Sequence, residues 1–127
     1  MPAGVHHITL NVTDLEVSRA FYEGLLGFGV DQDFPGEKLR LRLAEDGTRL
    51  VLRPLLPGTP AGDQFSEYRA GLDHIAIGAA REEVFRLAET LRRAGLTADL
   101  HRNRGSEHAM VTFRDPDNIQ WEFFEEP

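Results

Sequence analysis

The chain has 127 residues, 41% of them hydrophobic, which suits one compact domain or two half-domains that share a core. It contains no cysteine, which excludes disulfides, thiolate metal sites and a cysteine nucleophile. Its 14 basic and 21 acidic residues give a net charge of −7, which argues against general nucleic-acid binding because phosphate contacts need a basic surface.

The sequence carries no pattern for membrane insertion or export. No apolar run approaches the roughly 20 residues that span a bilayer. The first four residues lead directly into the first predicted strand, without a charged and hydrophobic signal segment. We therefore expect a soluble, cytoplasmic protein with no membrane partner.

The first predicted elements are a strand and a helix. Val5 to Leu10 has a β-like pattern, and Thr13-Asp14-Leu15-Glu16 matches a capping box, in which side-chain oxygens satisfy free amides at a helix start. Gly27 predicts the end of the helix, because glycine often supplies the left-handed residue there. Helical spacing predicts one buried stripe, formed by Val17, Ala20, Phe21, Gly24 and Leu25.

Short strands follow this helix. Residues 38 to 43 alternate between charged residues and leucine, and the turn dipeptide Asp46-Gly47 predicts a hairpin with residues 49 to 53. A stretch rich in proline and glycine comes next, where neither a helix nor a central strand fits. We expect a first β-α-β-β-β module over residues 1–54 and a linker over residues 55–70.

The same order of elements recurs over residues 71–127. The offset between His7 and His74 is 74 − 7 = 67 residues, which a duplicated module explains. A strand around His74 precedes a helix, and further strands are predicted at 98–102, 108–114 and 119–125. The turn between the last two is Asp115–Asn118. The buried face of the helix is predicted to hold Val84, Leu87, Ala88 and Leu91.

Alternation within the strands decides which way the candidate metal ligands point. His7 shares a face with Thr9, opposite the aliphatic residues that pack under a helix. In the second module His74 shares the equivalent face with small Ala76, and Glu122 takes it in the last strand. The fold class is α+β: two modules forming a cupped, eight-stranded mixed sheet with helices on its convex side and these ligands on the concave side.

Two histidines and one carboxylate leave positions open for water or substrate. Catalytic zinc sites and non-haem iron(II) oxygenases share this arrangement. We predict a divalent metal site at His7, His74 and Glu122. The pattern does not choose among Fe, Zn, Mn and Ni.

Basic side chains give one indication about the substrate. On the strands at 38–43 and 49–53, arginines including Arg40 and Arg53 alternate with leucines and project into or around the cleft. Guanidinium groups favour a carboxylate, phosphonate or enediolate, because they grip planar oxyanions in a forked geometry. The other interpretation is a solvated sheet edge whose charges pair with Glu37, Glu45 or Asp46.

Three further residues stand near the candidate ligands. His108 precedes a strand whose neighbours reach the cleft, so it is a weak candidate for proton transfer or substrate binding. Regular alternation predicts that His6 lies on the opposite face from His7 and that Asp73 points away from His74.

Four stretches together resemble a known family, the vicinal oxygen chelate superfamily. It includes glyoxalase I, bleomycin resistance proteins, fosfomycin-modifying thiol transferases and extradiol dioxygenases. The resemblance runs nearly end to end and is carried by residues 7–15, 21–28, 71–74 and 113–118, the last leading to Glu122.

The resemblance implies metal ligands from the first and last strands of each module. The matching positions are His7, Val51, His74 and Glu122. Valine cannot coordinate a metal, which argues against the four-ligand site of glyoxalase I. The three-ligand pattern that remains resembles the fosfomycin-modifying enzymes and the extradiol dioxygenases. Thr112 stands where the former carry a substrate-binding tyrosine.

These observations lead to one expected function and one alternative. We expect a metal-dependent lyase, isomerase or dioxygenase that acts on a small oxyanionic or vicinal-oxygen substrate. Glu122 is its catalytic group, and the substrate contacts are Thr9, Arg40, Arg53 and Thr112. The alternative is a metal-free binding protein of the bleomycin resistance type, which sequesters a metabolite or antibiotic at a dimer cleft; a fosfomycin-type thiol transferase is disfavoured. We expect a homodimer in either case.

Overall fold

The computed structural model describes residues 1–102, 105 and 107–126. The chain divides into two compact units, Met1–Asp63 and Gln64–Pro127. Each unit contains one four-stranded mixed sheet.

The first unit follows the order strand, helix, three strands. Its elements are β1 (His7–Val12), α1 (Leu15–Arg19, continued by a π-helical segment Ala20–Leu25), β2 (Val30–Phe34), β3 (Lys38–Arg42) and β4 (Arg49–Pro54). In the sheet the order is β1-β4-β3-β2. The first and last strands run parallel, whereas the other neighbours are antiparallel.

The second unit repeats this plan. Its elements are β5 (Ile75–Ala79), α2 (Arg81–Arg93), β6 (Ala98–Arg102), β7 (Ala109–Arg114) and β8 (Gln120–Glu125). The sheet order β5-β8-β7-β6 corresponds strand for strand to the first, again with only the first and last strands parallel. The predicted pair of β-α-β-β-β modules, with eight strands in the described residues, is confirmed.

The start of α1 forms as predicted, but its buried face does not. Asp14 caps the helix, because its Oδ1 accepts hydrogen bonds from the backbone N–H groups of Glu16 and Val17. Of the predicted apolar stripe only Phe21 is buried, whereas Val17 is 51% exposed and Ala20 and Gly24 are exposed, so the prediction was wrong for most of its residues. Ser18 and Tyr22 are buried along with Phe21, and the predicted stripe did not include either of them.

The helix of the second unit agrees with its prediction. The four residues of its expected face are all buried, namely Val84, Leu87, Ala88 and Leu91. This face packs against β6, β7 and β8. Neither this helix nor any other in the described part of the chain is long and apolar enough to span a membrane.

Each sheet buries one face and leaves the other more accessible. In β1, Leu10 and Val12 are buried while Thr9 and Asn11 are exposed, as strand alternation requires. In β8, Trp121 and Phe123 are buried, whereas Gln120, Glu122 and Phe124, which alternate with them, are half-buried. The candidate ligands His7 and Glu122 therefore lie on the accessible faces.

The largest fully buried side chain is that of Trp121, so its truncation tests the packing of the second unit. We expect Trp121→Ala to lower the free energy of unfolding by about 3–5 kcal/mol, measured by urea denaturation, because the cavity cannot fully collapse. The control Leu96→Ala, at a 40% exposed position, should cost much less. Equal losses of unfolding free energy in the two variants would contradict the burial of Trp121 in the core.

Candidate metal centre

Two of the three predicted ligands lie side by side in the second unit. Glu122 on β8 is the parallel partner of Ala76 on β5, and His74 immediately precedes β5. The Nε2 atom of His74 is 3.4 Å from Oε2 of Glu122. The side chains of His74 and Glu122 are 35% and 17% exposed, so the pair is partly accessible to solvent.

The separation of these two atoms suits ligands of one cation. Two donors that each bind a metal at about 2.1 Å, at angles between about 90° and 110°, lie roughly 3.0–3.4 Å apart. Oδ1 of Asp73 lies 2.7 Å from the other ring nitrogen, Nδ1. A carboxylate can only accept, so this short contact requires Nδ1 of His74 to carry a proton and donate, whereas the 3.4 Å from Nε2 to Glu122 exceeds the usual hydrogen-bond distance. In the neutral ring Nε2 then presents a lone pair towards a carboxylate oxygen, an arrangement that a cation between them would stabilise.

The position of Asp73 corrects the expectation that it points away from His74. A similar correction applies to His6, whose Nδ1 is 2.9 Å from Nδ1 of His7, with the two rings edge to face. Both expectations assumed regular strand alternation. The ladders begin only at His7 and Ile75, so the preceding residues are not held in the pleat.

The third predicted ligand, His7, begins β1 in the first unit and is exposed. It shares the accessible face with Thr9 and Asn11, as predicted. Within the part of the chain that the structure describes, no group of three or more His, Asp or Glu side chains is arranged to hold a metal ion. The structure thus brings together His74 and Glu122, and the third ligand stays a prediction.

The two sheets have equivalent cross-strand rows, and these differ in one donor. In the second sheet the row runs Ala76–Glu122–Thr112, and in the first it runs Thr9–Val51–Arg40. Val51 therefore occupies the place of Glu122, in agreement with the match made from the sequence. It is 8% exposed and offers no donor atom, so the first unit has no carboxylate at this position.

Three arginines of the first unit surround an aspartate that the sequence did not single out. Asp31 accepts from Nε of Arg40 at 2.8 Å and faces Nε of Arg49 at 3.3 Å and Nη2 of Arg42 at 3.6 Å. Partial burial alone would raise the pKa of Asp31, but the hydrogen bonds from Arg40 and Arg49 lower it overall. Asp31 lies at an irregularity in the β2–β3 register, which the sequence pattern did not indicate.

Arg53, the other predicted substrate contact, lies directly opposite Asn11 in the parallel ladder. Its Nε donates to Oδ1 of Asn11 at 2.8 Å. In the part of the chain that the structure describes, Arg40 contacts Asp31 and Arg53 contacts Asn11, so these contacts do not involve the alternative partners Glu37, Glu45 and Asp46. Sequence analysis thus located the arginines but not the groups that hold them.

The remaining candidates lie around β7. Thr112 is the direct neighbour of Glu122 and is half-buried. His108 precedes β7 and acts electrostatically on Glu125. The pKa of Glu125 is lowered, first by the hydrogen bond from the backbone N–H of Ala109 and then by Arg81.

A chain of polar contacts continues from Asp73 to the segment that precedes β5. Nε2 of Gln120 donates to Asp73, and Oε1 of Gln120 accepts from Arg114 at 3.3 Å. Arg114 in turn holds both oxygens of Glu67 at 2.9 Å. This forked hydrogen bonding lowers the pKa of the Glu67 carboxyl to about 2 and raises that of Arg114. Glu67 falls in the stretch predicted to be a linker.

The fold and this pair define a class of protein. Two tandem β-α-β-β-β modules, with a histidine at the first strand and a carboxylate on the last, are the plan of the vicinal oxygen chelate proteins. The model of the glyoxalase/bleomycin resistance protein/dioxygenase superfamily matches residues 4–123. The chain belongs to this family.

Individual relatives agree with the assignment. The chain is 29% identical to the uncharacterized protein YwkD of Bacillus subtilis over 128 residues, covering 96% of each. A glyoxylase/bleomycin resistance protein/dioxygenase domain from Frankia sp. EAN1pec superposes with a TM-score of 0.80 at 28% identity, covering 98% of this chain and 92% of that one. A glyoxalase/dioxygenase from Nostoc punctiforme gives 0.77 at 25% identity, covering 98% and 91%.

The ion pair of Glu67 and Arg114 predicts an effect of pH on stability. Because the pKa of Glu67 falls from 4.5 to about 2 on folding, the ionised carboxylate stabilises the protein above pH 4.5, and this contribution is lost as the pH falls towards 2. Glu67→Gln should therefore be less stable than the wild type at neutral pH, with a difference that shrinks below pH 4.5.

Urea denaturation at a series of pH values measures this difference. The control is Glu89→Gln, which removes an exposed carboxylate paired with Arg93 on α2 and should change stability little. A destabilisation by Glu67→Gln that stayed constant down to acid pH would contradict the role given to this pair.

Proposed function

We propose that the protein is a metal-dependent enzyme in which His7, His74 and Glu122 hold one divalent ion. The observation that carries the proposal is the geometry of His74. Its Nδ1 is fixed by Asp73 at 2.7 Å, and its Nε2 faces Oε2 of Glu122 at 3.4 Å. Metal-binding histidines commonly donate their second ring N–H to a carboxylate in this way. Iron, zinc, manganese and nickel all suit two imidazoles and a carboxylate.

The third ligand of the proposal rests on the internal repeat. His7 occupies the place in β1 that His74 occupies before β5, and in both modules the preceding residue contacts Nδ1 of the histidine. Contact at Nδ1 leaves Nε2 as the nitrogen for a metal in each case. This correspondence supports His7 as a ligand.

The chemistry proposed is lyase, isomerase or dioxygenase chemistry on a small substrate with two neighbouring oxygens. A bound divalent ion supplies Lewis acidity to such oxygens. We assign Glu122 a second role as proton acceptor. Its Oε2 faces His74, so its other carboxylate oxygen is the one proposed to take the proton. His108 is the weaker candidate for proton transfer, because it precedes β7 and helps to lower the pKa of Glu125.

The residues proposed to bind the substrate favour an oxyanion. Asn11 holds Nε of Arg53, and Asp31 holds Nε of Arg40, so both guanidinium groups are oriented before a ligand arrives. Oriented guanidinium groups bind carboxylates or phosphonates with less loss of side-chain freedom. Thr9 and Thr112 are the proposed hydroxyl contacts, each in the same cross-strand row as Val51 or Glu122.

Metal content tests the proposal. We expect protein purified without added metal or a histidine tag to contain about one transition-metal ion per chain, the ratio for a single three-ligand site. A His7→Ala, Glu122→Ala double variant should lose this metal. The matched control is a His101→Ala, Glu89→Ala double variant, which removes one exposed histidine and one exposed glutamate and should retain it.

The result also separates the other functions considered. Absence of metal from the wild type and from the protein supplied with each of the four ions would contradict the enzyme, and leaves the metal-free binding protein at a dimer cleft. Metal retention combined with thiol addition to an epoxide phosphonate would indicate the fosfomycin-type transferase instead.

A further inference from the structure

We propose that Asp73 and Gln120 are positioning residues that fix the protonation form and the direction of His74. The inference rests on the proposed function only in its last step, the consequence for a bound metal. The contacts themselves lie entirely within the second unit, so each step can be followed along one chain of hydrogen bonds.

The first step is the hydrogen bond between His74 and Asp73. A neutral imidazole carries one proton, which can sit on either ring nitrogen. Because Oδ1 of Asp73 is 2.7 Å from Nδ1, the proton is held at Nδ1 and the lone pair is left at Nε2, the atom that faces Glu122. Without this acceptor the Glu122 carboxylate, 3.4 Å from Nε2, would favour the tautomer that carries its proton at Nε2.

The second step is the contact between Gln120 and Asp73. The side chain of Asp73 is 65% exposed, and Asp73 lies before the start of β5 with His74 between them, so it needs an external contact to hold its direction. Nε2 of Gln120 supplies this contact, at 3.2 Å from Oδ1 and 3.3 Å from the backbone carbonyl oxygen of Asp73.

The primary amide at position 120 suits both of its neighbours. Asp73 can only accept hydrogen bonds, and Arg114 on the other side can only donate. The amide of Gln120 does both, because its NH₂ group donates to Asp73 and its Oε1 accepts from Nη2 of Arg114 at 3.3 Å. A carboxylate would repel Asp73, and an ammonium group would repel Arg114.

The last link is a rigid support for Arg114. Its guanidinium binds Glu67 through two hydrogen bonds of 2.9 Å and donates to the backbone carbonyl oxygen of Asn118 at 3.1 Å. The segment that carries Glu67 is itself bound to the β7–β8 turn through Phe65, which accepts from Asn118 and donates to Asp117. The direction of Asp73 is thus set by the turn that precedes β8.

Histidine nitrogen NMR on the full-length protein tests the inference directly. At pH 8, after treatment with a chelator, we expect the wild type to show His74 protonated at Nδ1 and unprotonated at Nε2. Asp73→Ala should shift the ring towards the Nε2-protonated form, whereas Asp73→Asn, whose Oδ1 still accepts, should retain the wild-type form. The control Asp99→Ala removes an exposed aspartate of the same unit and should change nothing.

Affinity for Zn²⁺, measured by competition with a chelating dye, gives the consequence for a metal. Asp73→Ala should bind Zn²⁺ about 10- to 100-fold more weakly, the usual cost of losing the carboxylate behind a ligand histidine. Gln120→Leu should lose less, because Asp73 remains present but is no longer held. Asp99→Ala should bind as the wild type does.

The outcomes separate this inference from the proposed function. An unchanged ring form in Asp73→Ala, or a wild-type His74 protonated at Nε2, would overturn the positioning role. If the ring form changes as expected while the wild type binds no Zn²⁺ or other divalent ion, the positioning role stands and the metal enzyme fails.

Discussion

The parallel pairing of the first and last strands in each module is the constraint on which the candidate site depends. It places the beginning of the first strand beside the beginning of the last strand, although Ala76 and its partner Glu122 are 46 positions apart in the chain (122 − 76 = 46). In an antiparallel hairpin, by contrast, the paired residues belong to strands that are joined by a short turn. The pairing therefore brings an imidazole and a carboxylate from distant parts of the sequence within 3.4 Å.

The repeat uses this constraint twice with different results. In both modules a histidine stands at the first strand, and the residue before it contacts its Nδ1. The last strand, however, carries Glu122 in one module and Val51 in the other. The second unit thereby has a histidine–carboxylate pair in which Asp73 contacts the histidine. The first unit supplies a histidine together with arginines oriented by Asp31 and Asn11, a combination suited to an anionic substrate.

The elements and their faces were predictable because they depend on local pattern. Alternation placed Thr9 and Glu122 on accessible faces, and the turn from Asp115 to Asn118 formed as its residues indicated, with Asn118 at a φ of +70°. What the pattern missed lies outside regular structure or between distant residues. Asp73 contacts His74 because the strand has not yet begun there, and Glu67 reaches Arg114 across 47 positions.

The central claim is that histidines from both modules and Glu122 bind one ion, and counting imidazole ligands tests it most directly. Pulsed electron paramagnetic resonance on the full-length protein loaded with one equivalent of Cu²⁺, which binds imidazole readily, reports the number of coordinated histidines. We predict two in the wild type, and one in both His7→Ala and His74→Ala. A wild-type count of one, unchanged in His7→Ala, would contradict the claim.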